Sequence, residues 1–167
     1  MQNMNLLIIG MGGHGYVCQE VAKHMHIFNK INFIDDHNEK ALGTMQDLKQ
    51  LRTNYDTIHV SIGNNTLRDE LYKKAKELGY TCINLIDPSS YVSESAKLGE
   101  GVLIEPNAIV NANTVIGDGT IISVGTIIDH NAVIENYCHI NAGAICKAGS
   151  HVQAYTKVDA GEVIKGY

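Results

Sequence analysis

Eight histidines are spread along the 167 residues. Imidazole is the one side chain whose ordinary pKa lets it take or give a proton near neutrality. Two of the eight, His130 and His139, lie in a stretch regular enough to show where each points. From Val92 an aliphatic residue returns at every sixth position: Val92, Leu98, Ile104, Val110, Ile116, Ile122, Ile128, Ile134, Ile140, Cys146, Val152, Val158 and Ile164. Four places after each stands a mostly small residue, Ala96, Val102, Ala108, Thr114, Thr120 and onward, interrupted by Glu162. Helices repeat every three or four residues and strands every two, so neither fits; a period of six is that of a β-solenoid. Three hexapeptides make one coil, the aliphatic residues point to the axis, and residues 18 apart are vertical neighbours. His130 is third in its hexapeptide, so it projects outward near a corner, with Ala112 and Ala148 on the coils beside it. A lone imidazole between two alanines has open space next to it, where a general base could meet a bound nucleophile. His139, sixth in its hexapeptide, stacks between Ile121 and Lys157 and also faces outward. The plainer alternative is a solvated corner, the role expected of His151.

A second group of residues suits phosphate. Leu6–Ile9 reads as a short buried strand and is followed by Gly10-Met11-Gly12-Gly13-His14-Gly15. Val17, Cys18, Val21, Ala22 and Met25 then recur at helical spacing. Backbone N–H groups at such a turn, with a helix N-terminus behind them, favour an anion. The run also satisfies G-x-G-x-x-G with an acidic residue about twenty places on, the dinucleotide fingerprint. The domain is about half the size that NAD needs, however, and no hydride-transfer residues follow.

These residues need scaffolding. Ile31–Ile34 is read as a second strand ending at Asp35-Asp36, Gln46–Leu51 as a short helix, and Thr57–Ile62 as a third strand closed by Gly63-Asn64-Asn65. Thr66 with Asp69 resembles a capping box, and Leu67, Leu71, Ala75 and Leu78 mark a helix ending at Gly79. Thr81–Ile86 is read as a fourth strand. Strands alternating with helices predict a small parallel α/β domain over residues 1–86, with the solenoid occupying 87–167.

Composition narrows the class. An apolar fraction of 44% supports a real core, and a net charge of −5 gives no electrostatic reason to expect a nucleic acid. Residues 5–9 are too few for a membrane span or signal segment. The four cysteines have no metal spacing and read as reduced, buried thiols of a cytoplasmic protein.

The glycine run, Val17-Cys18-Gln19-Glu20-Val21-Ala22-Lys23, Phe33-Ile34-Asp35-Asp36, Ile62-Gly63-Asn64-Asn65 and the hexapeptides follow one another in an order that resembles a known family. It is that of the bacterial hexapeptide-repeat sugar acetyltransferases. Its members include the sialic acid O-acetyltransferases and the UDP-amino-sugar N-acetyltransferases of bacillosamine-type pathways. The resemblance implies a Rossmann-like half domain that holds a nucleotide sugar, followed by a left-handed parallel β-helix that trimerises around acetyl-CoA, with no metal. By position it places Gly12, Gly13 and His14 at the sugar-nucleotide phosphates, Asp35 and Asp36 at uridine, and Gly63 in the same pocket. His130 falls at the general base, and His139, Ala148 and Ala160 fall at acetyl-CoA.

Two departures accompany the resemblance. The family often sets Asp or Glu directly after the base, whereas this chain has Asn131, which orients an imidazole but stabilises imidazolium less. Asp129 is expected to substitute for that carboxylate or to pair with Lys147, and backbone N–H groups at Ala142-Gly143 or Ala148-Gly149 are expected to serve the oxyanion. The solenoid also stops at Tyr167, short of the usual tail, which weakens the expected contacts to the distal half of CoA. The expected function is a cytoplasmic homotrimer that moves an acetyl group from acetyl-CoA to the amine of a UDP-linked 4-amino sugar. An O-acetyltransferase of sialic acid or another sugar is the near alternative. A non-catalytic nucleotide-sugar-binding scaffold is the alternative from another class, and an NAD enzyme a distant third.

Overall fold

The computed structural model describes residues 4–167 and divides into two compact units, Met1–Ile83 and Asn84–Tyr167. The first unit contains a parallel sheet of β1 (Met4–Ile9), β2 (Phe28–Ile34), β3 (Thr57–Val60) and β4 (Thr81–Cys82), in the order β2-β1-β3-β4. Leu6, Leu7, Ile8 and Ile9 are all buried, as expected for a central strand of a parallel sheet covered on both faces. Helices α1 (Gly13–Met25), α2 (Leu48–Leu51) and α3 (Asn65–Glu77) make the crossovers. Because β2 and β3 flank β1 on opposite sides, the sheet reverses its winding between β1 and β3. Ligands of open α/β sheets bind outside the carboxyl ends of the strands at such a switch point. The glycine run leaves β1 there, and Ser61–Asn64 leaves β3 there.

Helix α3 differs from the reading of its sequence at its start. Its N-cap is Asn64, whose side chain accepts the Leu67 N–H at 3.0 Å, so the expected Thr66–Asp69 box is not the cap. Its buried face carries Arg68, Asp69, Tyr72 and Ala75, while Leu67 is 42% exposed. The expected fourth strand is likewise two strands. Thr81–Cys82 pairs with β3, whereas β5 (Leu85–Ile86) pairs with Leu103–Ile104 of the second unit. Asn84 begins that unit: its amide donates to the Gly99 carbonyl at 2.8 Å and accepts the Val102 N–H at 2.9 Å.

The second unit is the expected parallel β-helix. Two-residue strands run from β5 to β18 (Val163–Ile164) and pair with those 18 residues away, such as Ile127 with Ile109 and Ile145, forming three sheets. Ile104, Val110, Ile122, Ile128, Ile134, Ile140 and Cys146 fill the axis with no exposed surface. The small column is buried at the corners, where it also satisfies backbone: the hydroxyls of Thr120 and Thr126 donate to the carbonyls of Glu135 and Asn141, each at 3.0 Å. The turn itself is made one residue earlier than the small column. Gly101, Asn107, Asn113, Gly119, Gly125, Asn131, Tyr137, Gly143, Gly149, Tyr155 and Gly161 all have φ between 55° and 70°. Glycine and asparagine tolerate this left-handed conformation best, so they dominate the column.

Candidate functional site

The switch-point crevice of the first unit is built by glycines with two different duties. Gly10 has φ +99°, and a Cβ there would stand 2.8 Å from Ile62 Cδ1; a Cβ on Gly15 would overlap the Gly10 carbonyl oxygen. Gly15 thus lets the start of α1 pack against the end of β1, and Gly10 lets that end approach Ser61 and Ile62 beyond β3. Gly12 and Gly13 meet nothing within 4 Å of an added Cβ, so they leave open space at the helix N-terminus, which no side chain caps. Gly63 is equally open.

Asp35 shapes this crevice from within. Its Oδ2 accepts the Met11 N–H at 2.7 Å and its Oδ1 the His37 N–H at 2.8 Å, and these bonds hold the carboxyl below its usual range. The carboxylate therefore fixes the glycine loop. Asp36 takes the Met45 N–H on Oδ1 at 2.8 Å. Beside them lies a cavity of about 200 Å³ lined by Ile34, Asp36, Met45, Ile62, Leu67 and Leu71, among others. Leu67 and Leu71 come to it from α3. It is smaller than the roughly 300–1,000 Å³ of a complete ligand pocket.

Under the crevice sits a polar cluster that the sequence reading missed. Arg68 is 1% exposed, and its guanidinium donates to the Ile62 carbonyl and to Asn65 Oδ1, each at 2.8 Å. It thereby braces the loop that carries Gly63. Burial, reinforced by Arg68, pushes His14 down to about 4. Burial also pushes His59 to about 4, even though its Nδ1 lies 3.1 Å from the Ile83 carbonyl. His14 is thus a neutral imidazole at physiological pH and would offer a hydrogen bond, not a charge, to a phosphate.

In the second unit His130 is exposed on its corner as expected, with its carbonyl accepting the Gly149 N–H at 3.0 Å. Asn131, at φ 59°, occupies the turn position and also places its amide 3.1 Å from His130 Nδ1. Asp129 does neither of the things expected of it. Its carboxylate accepts the His130 backbone N–H at 2.7 Å and the Asn111 amide at 3.1 Å, and the first of these leads in lowering its pKa. His139 Nε2 lies 3.3 Å from Ser123 Oγ. Next to Ser123, Glu105 accepts the Val124 N–H at 3.0 Å, and burial raises its pKa. Ala148 is half-buried and Ala160 exposed. The Gly143 and Gly149 amides are occupied by the Val124 and His130 carbonyls, which leaves those of Ala142 and Ala148 as the oxyanion candidates at these corners. His151 is exposed, 2.6 Å from Glu135. Among the described residues, no group of three or more His, Cys, Asp or Glu could hold a metal ion, and no helix is long and apolar enough to cross a membrane.

Comparison with known proteins bears on both units. The PglD N-terminal domain family matches residues 5–75, and the bacterial transferase hexapeptide family (six repeats) matches residues 95–130. The UDP-N-acetylbacillosamine N-acetyltransferase of Bacillus subtilis is 32% identical over 111 residues, covering 59% of this chain and 50% of that protein. The chain thus spans half the length of this relative. The acetyltransferase domain of PglB from Neisseria gonorrhoeae is 30% identical with a TM-score of 0.93, covering 96% of this chain and 82% of that one; it has also been solved with acetyl coenzyme A. Perosamine N-acetyltransferase from Caulobacter crescentus, solved with CoA and GDP-perosamine, is 28% identical with a TM-score of 0.82, covering 97% of this chain and 89% of that one.

Proposed function

The chain belongs to the hexapeptide-repeat sugar acetyltransferases with a PglD-type N-terminal domain and a left-handed parallel β-helix, and from this we propose that it acetylates the amine of a UDP-linked 4-amino sugar. The observation that carries the reading is His130, exposed between Ala112 and Ala148 and backed by the Asn131 amide at 3.1 Å. Acetyl-CoA supplies an activated acyl carbon. His130 Nε2 takes the proton that the acceptor amine loses as its nitrogen bonds to that carbon, the C–S bond breaks, and the imidazolium returns the proton to the departing sulfur. The Ala142 or Ala148 amide meets the oxyanion. His139 and the Ala148 and Ala160 corners lie along the acyl donor. Gly12, Gly13 and neutral His14 bind the diphosphate at the N-terminus of α1, and the cavity beside Asp36 and Gly63 receives the base.

We place the reaction in the cytoplasm and in a homotrimer. Tyr91, Ile109, Ile127, Ile145 and Val163 stack in register on one outer face of the β-helix, with Tyr91 58% and Val163 48% exposed. An apolar ladder open to water on a flat sheet favours a second copy of itself. Ile127→Glu is expected to shift the protein toward monomer in sedimentation velocity, with its circular dichroism unchanged. A trimer of unaltered stability would remove this face from the interface.

Purified protein should release free thiol from acetyl-CoA only in the presence of an acceptor, and most rapidly with a UDP-4-amino sugar from a panel that also holds GDP-4-amino sugars and sialic acid. Preference for GDP-4-amino sugars or for sialic acid would reassign the acceptor. A folded protein inert toward all of them would support the non-catalytic scaffold.

A further inference from the structure

Tyr167 lies two coils beyond Asn131 in the same corner column, with Gly149 between them. A Cβ on Gly149 would overlap the Tyr167 ring, so the missing side chain is what lets the ring lie across that coil. The same device recurs elsewhere in the solenoid, where Tyr137 lies over Gly119. A tyrosine laid over a glycine corner is therefore a structural habit of this fold. What distinguishes Tyr167 is where its hydroxyl ends: it accepts from Asn131 Nδ2 at 3.1 Å, the same nitrogen that lies 3.1 Å from His130 Nδ1, with the two rings 6.5 Å apart. The Tyr167 N–H also bonds the Ala148 carbonyl at 3.3 Å.

The direction of these hydrogen bonds decides whether His130 can act as a base. As the structure stands, the Asn131 nitrogen faces the ring and donates to the Tyr167 hydroxyl; donating also to Nδ1, it would leave the imidazole proton on Nε2 and no lone pair facing the acceptor amine. If the amide turns over, a change its shape permits without moving other atoms, Oδ1 accepts from Nδ1–H and Nε2 is bare. In that arrangement the Tyr167 hydroxyl donates to the same oxygen. A carboxylate behind the imidazole would need no such help, because it can only accept.

We propose that Tyr167 is a positioning residue that acts through Asn131: its phenol holds the amide oxygen toward His130 Nδ1, so that amide and phenol together stand in for a carboxylate. This rests on the reading of His130 as the base.

Tyr167→Phe keeps the ring and loses the hydroxyl. With acetyl-CoA and the acceptor found in the panel, it should lower kcat about three- to tenfold, the worth of one hydrogen bond, and leave KM for acetyl-CoA unchanged. In the free protein, ¹⁵N chemical shifts of histidine should show the His130 proton on Nδ1 in the wild type and displaced toward Nε2 in Tyr167→Phe. Asn131→Asp should make the phenol redundant, so that adding Tyr167→Phe to it changes kcat less than twofold. Unchanged kcat and an unchanged tautomer in Tyr167→Phe would overturn the inference while leaving the base in place. Retained activity in His130→Ala would instead remove the base reading itself.

Discussion

Replacing His130 with alanine is expected to lower kcat by about 10²–10⁴-fold, the range over which a positioned general base contributes. The fold should survive the change, because the side chain is exposed and its backbone bonds, to Asp129 through N–H and to Gly149 through the carbonyl, do not depend on the imidazole. Binding of acetyl-CoA should persist, since the residues assigned to it lie on other hexapeptides. The check is steady-state release of free thiol beside calorimetric binding of acetyl-CoA to the same variant. Loss of turnover with retained binding and an unchanged melting curve assigns the proton transfer to His130. Turnover within a factor of ten of wild type would move the base elsewhere. His139, whose Nε2 already faces Ser123, would be tested next.

Acidification should loosen the first unit between pH 6.5 and 4. His14 and His59 both have folded-state pKa values near 4, below their ordinary 6.5, because burial disfavours the charged ring. The unfolded chain then binds protons that the folded one refuses. The stability these two groups contribute is fully present above pH 6.5 and is lost as the pH falls toward 4, in total on the order of a few kcal/mol. Hydrogen exchange of the β1 and β3 amides at pH 7.5 and 4.5 would show it, with the β-helix amides as internal control. His59→Gln should flatten the dependence, because its amide can still donate to the Ile83 carbonyl but does not titrate. Equal protection of β1 and β3 at the two pH values would mean that these imidazoles are hydrated or can protonate in place.

Legibility in the sequence followed the physics that each feature obeys. The solenoid was plain because burial of Ile122, Ile128 and Ile134 on one axis imposes a period that no other fold shares. The corner column beside it went unread because it obeys backbone conformation and not hydrophobicity, and Tyr137 and Tyr155 interrupt its run of Gly and Asn. Asn131 reads in sequence as a replacement for a carboxylate, although it is also one of three asparagines making the same turn. In α3, leucine spacing marks the helix but not which face is buried. Leu67 and Leu71 line a cavity, while Arg68 is buried because the loop from Ile62 to Asn65 supplies acceptors that no local pattern announces. Asp35 and Asp36 line the crevice, but the backbone N–H groups that occupy Asp35 belong to a turn visible only in the fold.

The uninterrupted 18-residue pairing makes the second unit a ruler whose graduations cannot be shifted singly. An added or lost residue between Gly101 and Val133, unless looped out at a corner, would turn axis isoleucines outward and carry His130 off its corner. Length can change without penalty to the register only by a whole coil or by an excursion at a bend. Relatives of this chain should therefore differ in how many coils they have, and in what hangs from their corners, far more readily than in the spacing between their histidines.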